Sequence, residues 1–112
     1  MTSQLRSDAI PQSDRREFNR RKLQAEIEID WGSATLAATV RDIGPSGLFV
    51  ELTPPLWVGA AFHARLLLNP TLQLDCTVRR VEPNSGFAVS FELLEESGKA
   101  QLHSLLAALP QV

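Results

Sequence analysis

Gln24-Ala25-Glu26-Ile27-Glu28-Ile29-Asp30-Trp31 alternates apolar with polar or acidic side chains without a break. Successive side chains of a strand point to opposite faces, so this period of two puts Ala25, Ile27, Ile29 and Trp31 on one side and Glu26, Glu28 and Asp30 on the other. The stretch predicts a half-buried strand, one face toward a core and one toward water.

The pattern repeats outward from there. Gly32-Ser33 reads as a hairpin turn, and Leu36, Ala38 and Val40 carry an inward face through Ala34–Arg41. Asp42-Ile43-Gly44-Pro45-Ser46-Gly47 interrupts it, because two glycines and a proline so close together force a tight turn. Leu48–Leu52 resumes as a third strand, ended by Thr53-Pro54-Pro55. The loop to Gly59 carries Leu56-Trp57-Val58, apolar enough to cap one end of a core. Phe62–Leu68 and Leu72–Val81 are the fourth and fifth strands, divided by Asn69-Pro70, and Pro83-Asn84-Ser85-Gly86 turns into a sixth lined by Phe87, Val89 and Phe91. Six short strands with close turns indicate a barrel or sandwich. The period then changes: Leu102, Leu105, Leu106 and Leu109 form one stripe of a helix that starts near Glu95–Ser97 and is closed by Pro110.

A chain of 112 residues, 44% hydrophobic, suits one domain with one core. No stretch approaches the roughly 18 apolar residues of a membrane helix, and Met1–Ser13 lacks the apolar centre of a secretory signal, so the expected location is the cytoplasm without membrane insertion. The single cysteine, Cys76, shares an alternating run with Leu72, Leu74 and Val78 and reads as a buried thiol. Six basic residues (Arg6, Arg15, Arg16, Arg20, Arg21, Lys22) fall within the first 22 positions, ahead of a body that is net acidic. Binding to nucleic acid needs positive charge spread over a folded face, so this layout argues for a compact anion instead.

Enzyme signatures fail one by one. Gly44-Pro45-Ser46-Gly47 continues into Leu48 and a strand, where a nucleophile elbow needs a further glycine and a helix. His63 and His103 are far apart and belong to no spaced ligand set, so both read as surface or boundary residues and no metal site is expected. There is no phosphate-cradling glycine loop of the dinucleotide or Walker type. The sequence therefore offers no catalytic centre and no cofactor.

Two features remain, Arg16-Glu17-Phe18-Asn19-Arg20 and Asp42-Ile43-Gly44-Pro45-Ser46-Gly47. In them the chain resembles the PilZ family, whose pattern is Arg-x-x-x-Arg just before the first strand and Asp/Asn-x-Ser-x-x-Gly between strands two and three. The resemblance runs over about Arg15–Leu109 and includes Gly59, Val78-Arg79-Arg80-Val81 and Gly86–Phe91. It implies a mainly β fold, a six-stranded antiparallel PilZ-like barrel with a C-terminal helix over 24–110, preceded by a flexible tail over 1–14 and a basic linker over 15–23.

The resemblance also implies the ligand, cyclic di-GMP, gripped by Arg16 and Arg20 and read at a base by Asp42, with Arg15 and Arg21 as helpers. The chemistry suits it. Two phosphates and two guanines offer acceptors that a planar guanidinium meets bidentately, while a carboxylate accepts from the guanine donors. Gly47 is expected to let the ligand approach the backbone. Gly44 stands where the family has serine, so one hydroxyl is missing, and Ser46 is the candidate to replace it. Arg79 is expected to matter much less than Arg16 or Arg20. The implied function is a receptor that relays the second messenger to an unidentified effector protein. The alternative is a PilZ-like interaction adaptor, related to type IV pili or motility, that binds no nucleotide.

Overall fold

The alternating stretch lies in β1, Arg21–Trp31, and a computed structural model describes residues 20–112. The tail expected over 1–14, together with Arg15 and Arg16, lies outside the described residues. After β1 come β2 (Ala34–Ile43), β3 (Gly47–Glu51), β4 (Ala61–Leu66), β5 (Leu72–Glu82), β6 (Gly86–Leu93) and one helix, α1 (Ser97–Ala108). The strands close into an antiparallel barrel in the order β1-β2-β3-β6-β5-β4. Closure leaves no open edge to attract a foreign strand. No helix among the described residues is long and apolar enough to cross a membrane.

Alternation fills the barrel. Ile27, Ile29, Val40, Ile43, Leu48, Val50, Leu66, Leu74, Val78 and Phe87 are all shut off from solvent in one core. Leu102 of α1 is buried against that core, and Leu105, Leu106 and Leu109 pack partly onto it, the stripe expected from their spacing. Gly98 in the first turn of α1 is buried, and a Cβ there would stand 3.2 Å from Leu72 Cδ2. Its small size thus lets the helix sit close to the barrel.

Of the loop expected to cap the core, Leu56 alone is buried; Trp57 and Val58 are 62% and 60% exposed. Trp57 meets Trp31 edge to face with ring centroids 5.1 Å apart, so its contact is with the rim of the barrel.

β1 begins three residues before the alternation does, so Arg21–Leu23, expected in a linker, belong to the barrel. The reason is tertiary. Arg21 and Lys22 pair with Ile43 and Asp42 of β2, and the chain end returns to them from the other side: Lys22 N–H donates to the Pro110 carbonyl at 2.9 Å and Val112 N–H to that of Arg20 at 3.2 Å. Elsewhere the strand limits differ from expectation by one or two residues.

Candidate functional site

In a regular strand Arg41 and Asp42 would point to opposite faces. They do not, because β2 carries a bulge: Val40 pairs with Val50 and Asp42 with Phe49, which leaves Arg41 as an extra residue. β5 does the same, Val78 pairing with Val89 and Arg80 with Ala88, with Arg79 extra. A third register shift lies in β1 between Lys22 and Ala25. Bulges re-aim side chains at the cost of local pairing. Here they bring Arg41, Asp42, Arg79 and Arg80 to one cleft with Arg20, walled by the β2–β3 turn and by Ala88, Val89 and Ser90 of β6. Its volume, ≈ 590 Å³, is in the range small ligands fill.

Asp42 is 8% exposed, the one charged or polar side chain classed as buried among the described residues. A carboxylate so desolvated needs partners. It has two arginines. Arg20 Nε donates to Asp42 Oδ1 at 2.9 Å and Arg20 Nη2 donates to the same oxygen, while Arg41 Nε donates to Oδ2 at 3.2 Å. Arg20, expected on a flexible linker, is therefore held at both ends, its backbone by Val112 and its guanidinium by Asp42. Arg20 and Asp42, expected to contact different parts of a ligand, form one prearranged unit.

The remaining arginines differ in how they are compensated. The Arg41 guanidinium carbon lies 3.7 Å over the Phe49 ring centroid, and its Nη1 is 3.6 Å from Glu82 Oε1. Arg80 Nη2 is 3.7 Å from the other oxygen of Glu82. Arg79 Nε donates to Ser90 Oγ at 2.8 Å. Among the described residues four guanidinium groups thus face two carboxylates, Asp42 and Glu82, an excess of two positive charges at the cleft.

Gly44, Ser46 and Gly47 all line the cleft, in the turn the sequence indicated. Gly44 N–H donates to the Gly47 carbonyl at 2.7 Å, and the residues of positive φ are Gly32, Gly59 and Gly86, so Gly44 does not occupy the left-handed region. Gly47 is required by the fold itself. A Cβ there would stand 2.8 Å from the backbone oxygen of Val89 and 3.6 Å from Arg20 Nη1. The absence of a side chain lets β3 lie close to β6. Arg21 is not part of the cleft: it pairs with inward-facing Ile43, and its Nε is buried with no hydrogen-bond partner among the described residues. Arg15 and Arg16 lie outside the described residues.

Sequence reasoning missed Arg41, Arg80 and the Arg79–Ser90 pair. The signal was present in Arg41-Asp42 and Arg79-Arg80, two consecutive charges inside alternating strands, which is how a bulge reads in sequence.

Other reactive side chains lead away from chemistry. His63 is exposed and its Nε2 lies 2.7 Å from Asp75 Oδ1. Burial, with a lesser push from Asp75, raises the Cys76 thiol to about 12, so it stays protonated near neutrality. Among the described residues no three His, Cys, Asp or Glu side chains cluster as a metal site.

The PilZ domain profile matches residues 14–108. The chain belongs to the PilZ domain family. No curated protein matches it significantly. Among solved structures it is similar to the Bacillus subtilis inhibitor of motility, MotI/DgrA, with a TM-score of 0.68 and 14% identity over 82% of this chain. The chain spans 49% of that protein, and the likeness is one of fold. PilZ domains are typically receptor or adaptor modules without catalysis, and the comparisons indicate no enzyme family.

Proposed function

We propose that this PilZ domain is a cyclic di-GMP receptor that passes occupancy of the cleft to an effector protein in the cytoplasm. The observation that carries the reading is the excess of two positive charges in a cleft organised around Arg20 and Asp42. Cyclic di-GMP brings two phosphate charges, which match the excess among the described residues. It also brings guanine edges with both donors and acceptors, which arginine and carboxylate side chains complement. Arg16, four residues before Arg20 in the sequence, adds a guanidinium for the ligand, with Arg15 as its helper, and Ser46 supplies the hydroxyl that Gly44 lacks. Neutralisation of this basic surface is the change offered to the effector.

Isothermal titration of the whole chain with cyclic di-GMP tests the proposal. Saturable binding in the micromolar range or tighter supports it; no heat at millimolar nucleotide overturns it. That second result would favour the adaptor reading, for which the observation is the Trp57–Val58 surface, more than half exposed beside Trp31.

A further inference from the structure

Arg79 differs from the other arginines of the cleft. Arg20 is paired with Asp42, Arg41 with Asp42 and Glu82, and Arg80 with Glu82. Arg79 has no carboxylate partner among the described residues; its one hydrogen bond is from Nε to the neutral Ser90 hydroxyl, at 2.8 Å. That contact orients the guanidinium and leaves the two terminal nitrogens without a hydrogen-bond partner among the described residues. Both residues are held by the backbone at a chosen place. The β5 bulge turns Arg79 toward the cleft, and Ser90 pairs across β6 with Gly47 on one side and Thr77 on the other.

An anion entering the cleft gains most where positive charge is neither neutralised nor free to wander. From this we infer that Arg79 is a phosphate-binding residue of the cleft and that Ser90 is its positioning residue, a pair outside both sequence motifs. The assignment rests on the proposal that the cleft takes cyclic di-GMP. It also departs from the expectation that Arg79 matters much less than Arg16 or Arg20. The pair gives the site a polar anchor on the β6 wall, where Ser90 pairs with Gly47 beside the turn in which Gly44 lacks a hydroxyl.

Calorimetric titration of cyclic di-GMP into the full chain and its variants tests the pair. Arg79→Ala should weaken binding by about tenfold or more, the effect of removing a charge-assisted hydrogen bond, with an unchanged melting temperature because Arg79 is exposed. Arg79→Lys should stay within about threefold of wild type, since a phosphate accepts a point charge. Ser90→Ala should weaken binding by about threefold and Ser90→Thr should restore it, while Ser90→Ala added to Arg79→Ala should have no further effect.

Wild-type affinity in Arg79→Ala overturns the inference while leaving the receptor reading in place. If Arg79→Lys is as damaging as Arg79→Ala, the guanidinium reads a base edge and the phosphate assignment is overturned. An additive loss in the double variant overturns the role of Ser90. A wild type that binds no nucleotide removes the receptor reading and this inference together.

Discussion

Among the described residues the barrel has two arginine–carboxylate assemblies, and they differ in both regularity and charge. At the seam where β4 closes onto β1, the register is unbroken and Arg65 lies across from Glu28. Its Nη1 and Nη2 donate to the two oxygens of Asp30 at 2.8 Å each, and its Nε donates to Glu28 at 3.2 Å. One cation meets two anions in a fork geometry, and no charge is left for an anionic ligand. In the cleft, by contrast, the β2 and β5 bulges crowd arginines together beyond what their carboxylates neutralise. A straight ladder that satisfies its charges closes a fold, whereas a bulged one that leaves charge over keeps free energy available for binding.

The largest effect expected from this contrast is on binding. Arg20→Ala or Arg16→Ala should each cost at least about 1.5–3 kcal/mol of cyclic di-GMP affinity by calorimetry, the range for hydrogen bonds to charged groups. Circular dichroism should show the fold intact. Binding equal to wild type in both would show that the excess charge of the cleft is not what recognises the nucleotide.

Next comes the glycine that joins cleft to fold. Gly47→Ala should lose about 1–3 kcal/mol of stability in urea without ligand, because the methyl group meets the Val89 carbonyl and strand backbone cannot give way cheaply. An unchanged urea midpoint would return Gly47 to the role of making room for ligand alone.

A smaller effect, of opposite sign, is expected at the neighbouring glycine. Gly44 does not have positive φ, so Gly44→Ser needs no strained backbone. A hydroxyl there should tighten cyclic di-GMP binding by about 0.5–1.5 kcal/mol. A tighter-binding variant with wild-type melting behaviour would sharpen the receptor reading, and a folded variant with no gain would leave Gly44 a turn residue.

The seam should respond least, and only in stability. Arg65→Ala should leave the titration curve unchanged and lower the melting temperature modestly. Asp30 is held below the ordinary carboxylate range chiefly by its hydrogen bonds from Arg65. A carboxylate whose pKa is depressed by folding stabilises above its unfolded value, about 3.9, and that contribution disappears as pH falls through the folded value. The stability gap between wild type and Arg65→Ala should therefore be full near pH 7 and shrink below about pH 4. A gap independent of pH would mean that Arg65 acts through packing of its stem.

Alternating runs and turns from Gln24 to Phe91 and the leucine spacing in Leu102–Leu109 determined six strands and one helix, because period and burial are local properties of a chain that must cover a core. The motifs likewise marked Arg20, Asp42 and the Gly44–Gly47 turn, since turn chemistry and residue type are legible in order along the chain. What only the tertiary structure decided were relations between distant residues: Arg65 meeting Asp30 across the seam, Val112 pinning Arg20, and Gly47 lying against Val89. The cleft itself is of this kind. Arg79 joins it because the β5 bulge rotates one residue out of register and places it beside Ser90. A sequence shows where alternation breaks, but which strand lies opposite the break depends on how the barrel closes.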